Sequence, residues 1–160
     1  MKTISLITLA SIGASVAFAE NWHQFRGPSG IGLVEGEVPT RWSKDSVAWQ
    51  VNLPGEGQSS AVNWGAKLFV TAATKEGGMR TLLCLDKDSG KTIWRRDVES
   101  NHKESQHKMN SWATPSAATD GTRVVAFFGP AGIHCYDMEG EKLWSKDLGQ
   151  FPGYPSRNHR

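Results

Sequence analysis

Cys84–Trp94 reads CLDKDSGKTIW, and Cys135–Trp144 reads CYDMEGEKLW. Each copy has Cys, an apolar residue, Asp, a turn ending in Gly, and then a polar–apolar stretch reaching Trp. The Gly-to-Trp spacing is four in both, from Gly90 to Trp94 and from Gly140 to Trp144. The two Trp lie 50 positions apart. A fixed period of about 20–50 residues marks a repeat architecture rather than a self-contained globular enzyme.

Strand signals surround both copies. Val47–Leu53, Ala66–Ala73, Arg80–Leu85, Thr92–Val98, Arg123–Phe128, Ile133–Tyr136 and Lys142–Leu148 are short and rich in β-branched, aromatic or Leu residues. Turn clusters separate them, among them Pro54-Gly55, Gly77-Gly78, Asp120-Gly121 and Gly129-Pro130. No amphipathic helix of ten residues or more stands out. Each Trp is followed four residues later by an apolar residue: Trp49 by Leu53, Trp94 by Val98, Trp144 by Leu148. On a strand, i and i+4 share a face, so each pair can pack on one surface. Ser60-Ala61-Val62 and Thr114-Pro115-Ser116 open the two units. The pattern predicts an all-β chain, a partial β-propeller of four-stranded antiparallel blades with about two to three blades present. Val47–Leu53 is expected to be the closing, Trp-bearing strand of a last blade that the chain does not carry. Propellers need about four to eight blades, so the chain reads as an N-terminal piece of a longer protein.

The domain reading follows. Residues 1–19 have the features of a signal peptide: Lys2, an apolar run from Ile4 to Val16, and Ala17-Phe18-Ala19 before the cleavage point. Residues 20–46 form an N-terminal extension, 47–150 the incomplete propeller and 151–160 a non-repeat tail. The product is expected in the periplasm or secreted. The apolar run falls short of the about 20 residues that a membrane-spanning helix needs, and no later segment supplies them. Formal charge is +2, with basic residues interspersed among acids. That pattern argues against a nucleic-acid surface, which is strongly and contiguously basic.

CLDKDSGKTIW resembles the repeat of PQQ-like, quinoprotein-type β-propellers, whose pattern runs apolar-Asp-x-x-Thr/Ser-Gly-Lys-x-x-Trp. The opening Asn21–Pro28, NWHQFRGP, and the stretch His107–Asp137 are similar to exported bacterial PQQ-binding-like and outer-membrane-assembly propellers. The likeness runs from about Asn21 to Gly149. It implies that the repeat Trp dock against the adjoining blade. The residues support a structural role independently. Asp86 and Asp137 can accept hydrogen bonds from the turn amides after them. Gly90 and Gly140 can take the positive φ of a tight hairpin. Trp94 and Trp144 carry large apolar rings with an N–H to place. Cys84 and Cys135 occupy equivalent places in diverging blades, too far apart for a bridge, and read as buried free thiols.

Chemistry has one candidate location. From Trp49 to Ser60 is 11 positions, and from Trp94 to Thr114 is 20. The longer junction holds His102, His107, Lys108, Asn110 and Ser111. Insertions in repeat proteins map to loops on one face, often the binding face. His107, Asn110 and Ser111 are the candidate binding loop. His102 and His107, five apart, lack the Cys or carboxylate partners of a metal set, and a solvated polar loop is the plain alternative. A PQQ dehydrogenase, by family resemblance, needs Ca²⁺ held by carboxylate and Asn oxygens, a catalytic Asp, and a disulfide between adjacent Cys. None can be matched here, and hydrolase, zinc-protease and phosphate-loop motifs are missing. The reading leans away from an enzyme and assigns no cofactor. It favours an exported scaffold that binds a protein or small ligand on the propeller face. The alternative is the first blades of a quinoprotein oxidoreductase using PQQ with Ca²⁺.

Overall fold

The computed structural model describes residues 21–34, 39–102 and 107–149. The expected signal segment and the tail at 151–160 lie outside the described residues. Eight strands form two antiparallel sheets of four, each in sequential order. The first blade is β1 (Val62–Trp64), β2 (Lys67–Ala73), β3 (Met79–Asp86) and β4 (Thr92–Glu99). The second is β5 (Ala118–Thr119), β6 (Arg123–Phe127), β7 (Ile133–Asp137) and β8 (Lys142–Lys146). The two blades are built on one register. Phe69 pairs with Cys84 and Cys84 with Trp94; Val125 pairs with Cys135 and Cys135 with Trp144. Both central strands lose register one residue past the Cys.

Burial follows from position in the stack. The central strand β3 is buried on both faces from Arg80 to Leu85, hence its run of Leu, Cys and Leu rather than an alternation. One face of the first blade joins the second in a single core: Val62, Phe69, Leu82, Cys84 and Trp94 with Ala117, Val124, Ala126, Phe128 and Tyr136. Its other face collects Ala72, Leu83 and Leu85 under Trp49, Leu53, Leu68 and Val70. In contrast, β8 is exposed at every position.

Three expectations change. Val47–Leu53 is not a strand. Its backbone finds no sheet edge among the described residues, and side chains hold it instead. The nearest ladder contact is a lone Glu56–Ala73 bridge. The first strands begin later than expected, at Val62 and Ala118. Ser60 and Ser116 are spent on each other across the blade junction, where the Ser60 N–H donates to Ser116 Oγ at 2.9 Å. Trp144 is not the buried counterpart of Trp94: it is 47 % exposed against 7 % among the described residues.

The segment from Asn21 acquires a role that its sequence did not suggest. It straps the first strands of both blades. Asn63 N–H donates to Trp22 O at 2.9 Å, and Thr119 N–H donates to His23 O at 2.9 Å. Asn21 Oδ1 accepts Gly65 N–H at 2.8 Å, and His23 meets Trp64 edge-on at 6.1 Å.

Candidate functional site

Antiparallel topology sorts the connections. The β2–β3, β4–β5 and β6–β7 links gather at one end of the blades, and the hairpin turns inside each Asp…Gly…Trp motif gather at the other.

The first end holds the candidate loop, and Gln58 organises it. Gln58 N–H donates to Ala113 O at 3.1 Å. Its Nε2 donates to Met109 O at 2.6 Å. Its Oε1 accepts Ser111 N–H at 3.0 Å and lies 3.4 Å from Thr114 Oγ1, whose proton goes to Ser111 O at 2.8 Å. Within the loop, Asn110 N–H donates to His107 O at 2.8 Å, and His107 Nδ1 accepts Met109 N–H at 3.3 Å. Thr71 Oγ1, on buried β2, lies 3.3 Å from Ala113 O and 3.1 Å from Pro115 O. Trp112 lies over the buried Arg80 guanidinium at 6.0 Å. Arg80 Nη1 also donates to Gly77 O, which ties the Lys75–Gly77 3₁₀ turn to the same loop.

His107, Asn110 and Ser111 therefore share one fixed turn, with Met109 standing out 70 % exposed. His102 does not join them. It lines a separate cleft of about 260 Å³ with Glu99, Asn101, Pro130, His134 and Asp147. There His134 Nε2 sits 2.8 Å from Ala131 O. No group of three or more metal-ligating side chains is assembled among the described residues. Sequence reading missed Gln58, Arg80 and Trp112. Gln58 sits in GEGQSS, which reads as an ordinary solvated turn, and only a lone Trp in a polar loop hinted at Trp112.

The other end holds the motif residues, and their chemistry is consumed in structure. Asp86 Oδ1 accepts Ser89 N–H at 2.8 Å and Ser89 Oγ–H at 2.5 Å. The Ser89 hydroxyl, aided by backbone amides, holds the Asp86 carboxyl below its ordinary range. Asp137 Oδ1 accepts Glu139 N–H at 3.0 Å and Glu141 N–H at 2.8 Å. Gly140 has φ 86°, and a Cβ there would sit 2.7 Å from the Trp94 ring. Only glycine meets both conditions. Trp94 Nε1 donates to Met138 O at 3.0 Å. Gly90 stands in the same relation to Trp49, whose Nε1 donates to Lys87 O at 2.9 Å. Trp49 thus does from an unpaired segment what Trp94 does from a strand.

Both thiols are free and buried. Burial pushes Cys84 up to about 12 and raises Cys135 as well, which disfavours the thiolate form at neutral pH. They lie in different sheets and form no adjacent pair. Among the described residues there is no adjacent thiol pair, and Asp86 and Asp137 are committed to their own turns.

Repeated four-stranded antiparallel sheets, locked by a Trp ring on the next sheet's turn glycine, have the build of blades of a partial β-propeller. Residues 35–106 match the family model PQQ_2, described as outer membrane protein assembly factor BamB. The crystal structure of BamB from Moraxella catarrhalis is similar at 27 % identity with a TM-score of 0.44, over 62 % of this chain and 26 % of that one. The chain thus spans about a quarter of the length of that solved relative. No curated protein matches it.

Proposed function

We propose that the chain is a non-catalytic propeller module, exported to the periplasm or beyond, that binds a protein partner through the end carrying His107–Thr114. The observation that carries this is the Gln58 clamp. It makes three hydrogen bonds to one loop, yet leaves His107, Lys108, Met109 and Asn110 exposed. A loop held this firmly loses little entropy on binding. Met109 offers an adaptable apolar contact beside two hydrogen-bonding side chains. The family description, an outer membrane protein assembly factor, supports a protein partner. The leader-like residues 1–19 support export, and no helix among the described residues is long and apolar enough to cross a membrane.

The test is a photo-crosslinking residue placed at Met109 in the exporting cell, with Lys91 at the opposite end as control. Adducts at Met109 that weaken with His107→Ala and Asn110→Ala are expected. Equal yields at both positions, or none at Met109, would overturn the reading. Adding PQQ and Ca²⁺ to the purified chain decides the oxidoreductase alternative: quinone absorbance retained after gel filtration would revive it.

A further inference from the structure

The cleft that holds His102 lies between the two blades, and the strand registers say why. His134 on β7 pairs with Ala126 on one side and Ser145 on the other. Ala126 and Tyr136 belong to the core shared with the first blade. The alternation of β7 therefore turns His134, two before Tyr136, and its neighbour Ser145 toward that blade as well. Glu99, which ends β4, lines the other side with Asn101 and His102. Pro130 and Ala131, from the turn after β6, give the cleft of about 260 Å³ an apolar stretch of wall. Ala131 packs against the shared core, and the His134 ring lies 6.0 Å from that of buried Phe128.

The polar groups of this cleft are mostly acceptors. Glu99 and Asp147 bring carboxylates, and no Lys or Arg lines the cleft. The cations of the first blade are spent elsewhere: Arg95 on Asp97, Arg96 on Glu141 and Lys67 on Glu139. Asp147 Oδ1 accepts Gly149 N–H at 2.7 Å, and its second oxygen has no partner among the described residues. His134 Nε2 sits 2.8 Å from the Ala131 carbonyl, so that nitrogen donates and the neutral ring accepts at Nδ1. Asn101 and Ser145 add an amide and a hydroxyl whose side chains make no hydrogen bond among the described residues. Two carboxylates with no cation beside them repel an anion. A metal ion is no better match, since the side chains do not converge on one point as ligands. The arrangement suits a cation that carries several N–H donors on an apolar stem.

We propose that the cleft binds an organic cation, a guanidinium or ammonium on an alkyl chain, with its head between Glu99 and Asp147 and its stem along Pro130 and Ala131. A guanidinium is the better head, because its five donors lie in one plane and reach several acceptors at once. Alkyl stems of this kind lie readily on apolar surface while the charge stays in a polar setting. The cation is either a free amine or the basic side chain of a bound protein. The site uses no residue of the His107–Thr114 loop, so it stands apart from the partner-binding reading.

The experiment titrates the ¹⁵N-labelled full chain with agmatine, with N-acetyl-arginine N-methylamide, and with the matching citrulline compound, which keeps the stem and shape but has no charge. The Asn101 and Ser145 amides and the His134 ring signals are followed. Both cations are expected to shift these signals saturably, leave the Lys87–Gly90 turn unmoved, and bind about threefold or more tighter than the citrulline compound, the scale of exposed charge pairs. Glu99→Gln and Asp147→Asn, both at exposed positions, should each remove about that factor for the cations and leave the citrulline compound unaffected. Asn at position 147 keeps an oxygen for the Gly149 N–H, so this variant tests charge rather than fold. Tighter binding of agmatine marks a free amine as the ligand, and tighter binding of the arginine amide marks a protein side chain. Equal affinity for the citrulline compound, indifference to both substitutions, or shifts that spread to the acidic turns at the opposite end would overturn the proposal. So would Ca²⁺ or Mg²⁺ alone producing the same shifts at lower concentration, which would make a metal ion the occupant.

Discussion

Replacing Trp94 with Ala removes a ring that is 7 % exposed, packed against Phe69 and Tyr136 at 5.8 and 6.2 Å, and hydrogen-bonded to Met138 O. Buried Trp-to-Ala substitutions cost about 3–5 kcal/mol; Met138 O keeps its Lys67 Nζ donor, so the loss is mainly that of the packed ring. Domains are stable by only about 5–15 kcal/mol, so the junction is a large share of the total. At an m-value of about 2 kcal/mol/M, the urea midpoint should fall by about 2 M. The informative control is the same substitution at Trp144. It has the same place in the repeat but is half exposed and undocked, so it should cost about 1 kcal/mol or less. Trp94→Phe, which keeps a ring but loses the N–H, should fall between, at about 1–2 kcal/mol. It keeps the comparison open if Trp94→Ala does not fold. Equal losses at the two Trp, or none at Trp94, would refute docking as the bond between blades.

Further outcomes follow from single side chains. The Thr122 hydroxyl, with the Thr122 and Arg123 amides, lowers Asp120 from 3.8 to about 2. A carboxyl depressed in the folded state stabilises it above the unfolded value and loses that effect as pH falls. Melting temperature should therefore drop between about pH 4 and 2, and Asp120→Asn should flatten that drop. A thiol reagent at pH 8 should label neither Cys in the folded chain and both in urea, with Cys135, beneath the open face, reacting before Cys84 on slow opening. Gln58→Ala should raise exchange of the Ser111 amide by about tenfold, since it removes that amide's acceptor, while amides of β3 stay unchanged.

The blade was readable because its determinants are local. Asp, Gly and Trp at fixed spacing state a turn, a positive φ and a docking ring, and the flanking apolar runs place β2 to β4 and β6 to β8 within a residue or two. Two features were not readable because each depends on what lies beside it in space. Val47–Leu53 has strand composition but no edge to join, so Trp49 docks without a ladder. Trp144 has the motif of a buried residue, but no described residue docks on it as Gly140 docks on Trp94. The candidate site was half legible. The longer junction drew attention to His107, Asn110 and Ser111, but Gln58, 51 positions away from Met109 in sequence, carries no signal of the loop it holds. The strap from Asn21 to His23 acts through backbone groups at Trp22 and His23, which side-chain patterns do not report.

The central claim, that Trp94 sits on Gly140 of the neighbouring blade and Trp49 on Gly90, is tested most directly by the ring-current shift of the glycine α protons. The account predicts upfield shifts for Gly140 and Gly90, with Gly140 returning to its ordinary position in Trp94→Leu and staying put in Trp144→Leu. Ordinary shifts at Gly140 in the unsubstituted chain, or a shift that survives Trp94→Leu, would contradict it.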